Sequence, residues 1–344
     1  MVKGRGLAAR NIIEEQGLDA LLFTDMANIR YLCGFTGSEA LLLVTLSDAY
    51  FLTDSRYTTQ AEAETGMPVR TFKVKHDGIV TLLRDLNCSR VGFEAAKVSY
   101  ALHQELKSAT TDISWVPVTT TDRIRQRKDE DELSCICRAA DYNAAALQSI
   151  RQLLIPGARE CDIALELEVA LRKLGGEDKA FDFIVASGER GALPHGVAST
   201  RRLAAGELIT IDFGTRCNGY YSDETVTLAI GSVADDLRRL HDVVLEAHDR
   251  AIAAVKPGER LADIDAVARE YIAAQGFGDY FGHGLGHGVG LEVHEWPRVS
   301  PQSKAVAEVG MVFTIEPGIY LPGKGGVRIE DIVAVTASGC RVLT

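Results

Sequence analysis

"IPGARECDIALELEVALRKLGGE", Ile155 to Glu177, and "KPGERLADIDAVAREYIAAQGFG", Lys256 to Gly278, share one pattern. Each opens on Pro-Gly, sets an aspartate six residues after the proline (Asp162, Asp263), and continues as an amphipathic helix stopped by glycine. Each is then followed by a hairpin pattern. The first, "ELITIDFGTRCNGYYSDETVTLAI" from Glu207, joins two alternating runs through a loop holding Asn218-Gly219, a strong two-residue turn signal. The second, "MVFTIEPGIYLPGKGGVRIEDIVAV" from Met311, does so across a Gly/Pro-rich loop. A duplicated helix-plus-hairpin unit predicts a pseudo-symmetric α+β domain with the two hairpins facing each other across a cleft.

Upstream, from Leu18 to about Val118, short apolar runs ("DALLFTD", "ALLLVTL", "AYFLTD", "RVGFEA") alternate with helical patterns at Ser55–Glu64 and Tyr100–Ser108. That rhythm predicts a compact α/β domain. The charge run "TTTDRIRQRKDEDEL" breaks it, and a long helical period follows over Glu132–Leu154, so the expected domains are residues 1–122 and 123–344. The first seventeen residues read as an amphipathic helix of mixed charge rather than a secretory signal.

The 344 residues are 46% apolar and 25% charged, with a net charge of −11. That acidity argues against nucleic acid or an anionic membrane as partner, since both need a basic footprint. No stretch approaches the roughly 18 apolar residues of a membrane span. The seven cysteines are odd in number and scattered, unlike a disulfide framework, and cytoplasmic residence is the expectation.

The hairpins carry the chemistry. Asp212 and Asp223 lie in the first, Glu316 and Glu330 in the second, where half-buried strands ordinarily hold neutral residues. Converging carboxylates lose hydration and repel one another unless cations compensate them. Two divalent ions would balance four negative charges, and oxygen ligands with one imidazole suit Mn²⁺ first, then Co²⁺, Zn²⁺ or Fe²⁺. The imidazole is available in "GHGLGHGVGLEVHEW", Gly282 to Trp296, which crowds His283, His287 and His294 among glycines that let the backbone pass close to a site.

"DFG…SDET", "GHGLGHGVGLEVHE", "TIEPGIY" and "GVRIED" resemble the signature segments of the pita-bread metallopeptidases, in the Xaa-Pro dipeptidase (prolidase) and aminopeptidase P branch. "NIRYLCGFTGS" and "FLTDSRYTTQA" resemble the creatinase-type N-terminal domain of that branch. The resemblance implies five metal ligands, Asp212, Asp223, His287, Glu316 and Glu330, with Asp223 and Glu330 bridging two ions. It implies catalytic roles for His195, His294 and Glu316, and substrate-side roles for His283 and Arg328. Arg298, in "VHEWPR", resembles an arginine that some prolidases hold near the substrate carboxylate. Short proline-containing peptides are the implied substrates, and a homodimer the implied assembly, with Tyr31 and Phe35 of the N-terminal domain expected to close a pocket.

One departure is Val226, where the family often has arginine after Ser-Asp-x-Thr. Within the branch, an aminopeptidase P acting on longer peptides is the alternative to a dipeptidase. A metal-free amidinohydrolase or a non-catalytic binding module on the same fold is the remote one, and either should have lost ligand positions that are all filled here.

Overall fold

The structure, a computed structural model, describes residues 4–344. The chain divides into two compact units, parting between Arg125 and Gln126.

The first unit is built on a six-stranded mixed sheet of β1 (Ala20–Phe23), β2 (Leu41–Thr45), β3 (Ala49–Thr53), β4 (Val69–Thr71), β5 (Arg90–Glu94) and β6 (Ser114–Val118), in the order β4-β3-β2-β1-β5-β6. Every residue of β1 is buried, the reason its sequence is a continuous apolar run rather than an alternation. Ala20, Leu22, Leu41, Leu43 and Leu52 pack on Ile79, Val80, Leu82 and Leu83 of a helix at Lys75–Asp85 and on Leu106 of another at Tyr100–Ala109. The Ser55–Glu64 pattern becomes a helix at Thr58–Thr65, and the amphipathic start a helix at Gly6–Gln16; residues 1–3 of that stretch lie outside the described residues. Tyr31 and Phe35 are buried, Phe35 edge-on against Phe51 at 5.0 Å and Tyr57 at 5.9 Å. Both rings are core, which corrects their expected place at a pocket: large apolar side chains are stabilised most by removal from water.

The second unit repeats itself. Residues Glu130–Ile150 form a long helix, followed by the first echo helix at Glu160–Leu174; a helix at Asp235–Ala254 precedes the second at Leu261–Ala274. The two Pro-Gly starts carry φ of +94° at Gly157 and +91° at Gly258, a turn that only glycine makes without strain. Asp162 and Asp263 sit in the first turn of their helices, where the helix dipole favours negative charge. Ile163, Leu167 and Leu171 face Val185, Ile209, Ile211 and Phe213; Ile264, Ala268 and Ile272 face Phe313, Ile315 and Val333. Each echo helix thus covers its own strands, giving two apolar cores related by the repeat.

Those strands are β7 (Ile184–Ser187), β8 (Glu207–Phe213), the short β9 (Arg216–Cys217) and β10 (Tyr220–Tyr221), and β11 (Glu224–Ile230); then β12 (Gly286–Gly288), β13 (Glu295–Val299), β14 (Val312–Ile315), β15 (Gly318–Leu321), β16 (Gly325–Arg328), β17 (Asp331–Val335) and β18 (Cys340–Val342). β11-β8-β7 form one sheet and β13-β12-β14-β17-β18 another. Asn218 and Gly219 both have positive φ, as the two-residue hairpin turn between β9 and β10 requires. The Gly/Pro-rich loop of the second hairpin is itself a hairpin, β15–β16. Its glycines allow close packing: a Cβ on Gly326 would lie 2.2 Å from the Gly191 carbonyl oxygen. Among the described residues, no helix is long and apolar enough to cross a membrane.

Candidate metal centre

The four acids occupy matched ends of the two central strand pairs. Asp212 is near the end of β8 and Asp223 immediately precedes its partner β11; Glu316 immediately follows β14 and Glu330 immediately precedes its partner β17. The halves meet at Thr225, which pairs with Asp212 across the first sheet and bridges to Glu330, whose N–H donates to the Thr225 carbonyl at 3.0 Å. The Thr225 hydroxyl donates to Glu330 Oε2 at 2.6 Å and accepts from Arg328 Nε at 3.1 Å.

Asp223, His287 and Glu330 converge, each offering a ligand atom within 4.8 Å of the others. His287 Nδ1 lies 3.1 Å from the Gly288 carbonyl, which can only accept, so Nδ1 carries the proton. Its Nε2 lone pair therefore faces Asp223 Oδ2 at 3.6 Å and Glu316 Oε1 at 3.5 Å. Burial, then the charge of His294, holds His287 neutral by pushing its pKa down to about 3. Burial raises all four carboxyls; repulsion by the other acids adds to it at Asp223 and Glu330, which end well above the usual range, and at Glu316, pushed to about 8. Electron pairs facing one another in a buried pocket are the arrangement that a cation resolves, and this donor set of carboxylate oxygens and one imidazole fits a divalent ion.

Asp212 is held differently. One oxygen accepts from Arg328 Nη2, and Oδ1 is buried without a hydrogen bond, a further oxygen that could ligate a cation. Arg328 also donates through Nη1 to Tyr320 Oη at 3.0 Å and to the Pro194 carbonyl at 3.1 Å, which ties the residue before His195 to the centre. His195 and His294 are exposed, and the His294 ring lies 4.1 Å from that of His287. His283 reaches the network through Tyr320: its Nδ1 faces the Gly284 carbonyl at 2.8 Å, so Nε2 accepts from Tyr320 Oη at 2.9 Å. Arg298 is exposed on β13, directly opposite His287 in the sheet register.

The glycines of the histidine stretch are explained by contact. A Cβ on Gly286 would sit 1.9 Å from the Thr314 carbonyl oxygen, and one on Gly288 2.3 Å from that of Trp296, so β12 fits between its neighbours only without side chains at these positions. Val226, at the position of the family's arginine, packs on the apolar core of the first half. Thr225 and Tyr320 were passed over as site residues. The Thr-Val-Thr alternation of β11 was the available signal, because it puts Thr225 and Thr227, both buried, on the face that an ordinary half-buried strand makes apolar.

Comparison with known proteins agrees with this geometry. The model of metallopeptidase family M24 matches residues 134–337, and that of the creatinase/prolidase N-terminal domain matches residues 5–127. The chain is 38% identical over 337 residues to an Xaa-Pro dipeptidase of Pyrococcus furiosus, covering 96% of this chain and 95% of that one. Its fold is similar to that of an Xaa-Pro dipeptidase from Bacillus anthracis, with a TM-score of 0.96, 38% identity and coverage of 99% and 96%. It is also similar to an X-Pro aminopeptidase from Thermotoga maritima, with a TM-score of 0.90, 39% identity and coverage of 98% and 97%. The chain belongs to metallopeptidase family M24, with a creatinase/prolidase-type domain at its N-terminus.

Proposed function

We propose that this protein is an Xaa-Pro dipeptidase, cleaving the bond before a C-terminal proline. The observation that carries the reading is the neutral His287 Nε2 facing the carboxyl groups of buried Asp223 and half-buried Glu316, at the meeting of hairpins that supply two acids each. The names of relatives such as the dipeptidases of Pyrococcus furiosus and Bacillus anthracis support the substrate class.

Asp212, Asp223, His287, Glu316 and Glu330 would hold two divalent ions, Mn²⁺ before Co²⁺, Zn²⁺ or Fe²⁺, with Asp223 and Glu330 shared. Held there, such ions would lower the pKa of a water and polarise the scissile carbonyl. Glu316, oriented by the Thr314 hydroxyl 3.2 Å from its Oε1, takes and passes on the proton of the attacking water. His294 and His195 donate hydrogen bonds to the substrate carbonyl as it becomes an oxyanion. His283 and Tyr320 wall the side that receives proline, and Arg328 keeps Asp212 and the His195 segment in place.

Arg298 is proposed to pair with the free carboxylate of the dipeptide. The domain division proposed near residue 122 is supported by the parting of the two compact units at Arg125. A homodimer is proposed on the family resemblance, and a cytoplasmic setting on seven free cysteines, which suit a reducing compartment.

The deciding experiment compares an Xaa-Pro dipeptide with the same peptide extended by one residue. Extension should cost activity, and Arg298→Ala should raise KM for the dipeptide about tenfold while narrowing its advantage. Equal rates on both peptides, unchanged by the mutation, would assign the protein to aminopeptidase P.

A further inference from the structure

His195 lies on a segment between Ser187, the last residue of β7, and Ser199, which opens as a short 3-10 helix at Gly188–Ala192. Both ends of that segment are tied to one side chain. Glu160, the first residue of the echo helix, is 0% exposed. Its Oε1 accepts from the Ser187 N–H at 2.8 Å and the Ser187 hydroxyl at 2.7 Å. Its Oε2 accepts from the Ser199 N–H at 3.1 Å, the Ser199 hydroxyl at 2.6 Å and Arg190 Nη1. Arg190 lies within the segment, and its Nη2 donates to the Val197 carbonyl at 2.7 Å, two residues beyond His195. On the other side of the histidine, Arg328 Nη1 holds the Pro194 carbonyl. The residues flanking His195 are thus gripped from two directions, by Arg190 and by Arg328.

A fully buried carboxylate is an expensive way to close a loop, since desolvation offsets most of what its ion pair contributes. What it provides is a fixed geometry for a segment whose own backbone bonds amount to a short 3-10 helix, turns and one bridge. The second repeat has the same device. Asp265, 1% exposed, accepts from the Leu285 N–H at 3.0 Å and pairs two-pronged with Arg269, at 2.7 and 2.9 Å. Arg269 donates onward to the carbonyls of Phe281 at 3.0 Å and His283 at 2.7 Å. In each half, an acid on the echo helix and its arginine hold the segment that presents a site histidine. The acids are not at equivalent positions, Glu160 being the first residue of its helix and Asp265 the fifth, about one turn later. The arrangement recurs although the sequence positions do not.

We propose that Glu160 and Arg190 are positioning residues for the hydrolysis, setting His195 against the substrate carbonyl, so that their contribution to catalysis passes through that imidazole. This rests on the role proposed for His195. The test is a double-mutant cycle in metal-loaded enzyme on an Ala-Pro dipeptide, with metal content measured for each variant. Arg190→Ala is expected to lower kcat about ten- to a hundredfold with KM changed less than about twofold, as displacement of a transition-state donor requires. In a His195→Ala background the same substitution should cost less than about twofold, because the group it positions is gone. A full loss from Arg190→Ala in that background would overturn the proposal and make the clamp a support of the fold. Should His195→Ala alone leave kcat unchanged, the role of His195 fails and the clamp with it, a result visible in the single variant. Arg190→Lys keeps a charge on Glu160 but only one branch; it is expected to fall between wild type and alanine with the same non-additivity, and it stands in if Arg190→Ala does not fold.

Discussion

Asp223 and Glu330 are buried, and with the half-buried Glu316 they surround His287; their raised pKa values record burial first, with repulsion from neighbouring acids adding to it. Without cations these side chains oppose folding, an instance of a site that sacrifices stability for chemistry. Asp223→Asn keeps the shape of the residue and removes one charge. Its metal-free form is expected to be more stable than metal-free wild type at neutral pH, by on the order of 0.5–2 kcal/mol, while Mn²⁺ no longer raises its melting temperature and dipeptide hydrolysis is lost. Urea denaturation with chelator and with added Mn²⁺ measures both effects; a metal-free variant less stable than wild type would make Asp223 a structural residue. At this scale the acids are legible because charged groups at the ends of apolar strand runs break the pattern, and the histidines because three of them crowd among glycines. Thr225 is marked only by the Thr-Val-Thr alternation of β11, and Tyr320 by nothing, since a tyrosine in a strand breaks no local rule.

Elements are joined by side chains as much as by ladders. Asp19 stands one residue before β1, and its Oδ2 accepts from the Ser89 N–H at 2.7 Å, the Ser89 hydroxyl at 2.9 Å and the Arg90 N–H at 2.8 Å, pinning the start of β1 to the start of β5. The backbone bonds from Ser89 and Arg90 lower its carboxyl below the ordinary aspartate value of 3.8. A depressed carboxyl contributes stability that is complete above the unfolded value and is lost as the pH falls through the folded one. Wild type should therefore exceed Asp19→Asn in denaturation midpoint by a constant, modest margin above pH 3.8, narrowing as the pH falls further. A margin independent of pH would show that the carboxylate charge has no part in the pinning. Helices and strands were mostly legible because their periods are local: the Asn218-Gly219 turn and the helix at Tyr100–Ala109 follow directly from residue types. The β15–β16 hairpin was not, because its pairing depends on the close approach of Gly326 to Gly191, 135 residues earlier in the chain.

For the whole molecule, the family resemblance carries the expectation of a homodimer, and sedimentation at micromolar concentration should give twice the 37.3 kDa chain mass. A monomer there would remove the assembly from the reading, the more so because Tyr31 and Phe35 turned out to be core. The sequence by itself determined the duplication, the types of group at the strand ends, and the acidity that suits a small-molecule site. These are patterns of period and composition, written in neighbouring residues. Only the tertiary structure decided which groups meet: Thr225 with Glu330 across 105 residues, Arg328 with Asp212 across 116, and Glu160 with both ends of the His195 segment. The reason is that a hydrogen bond between distant segments is set by how two cores pack and by which rotamers fit between them, and neither leaves a repeat in the chain.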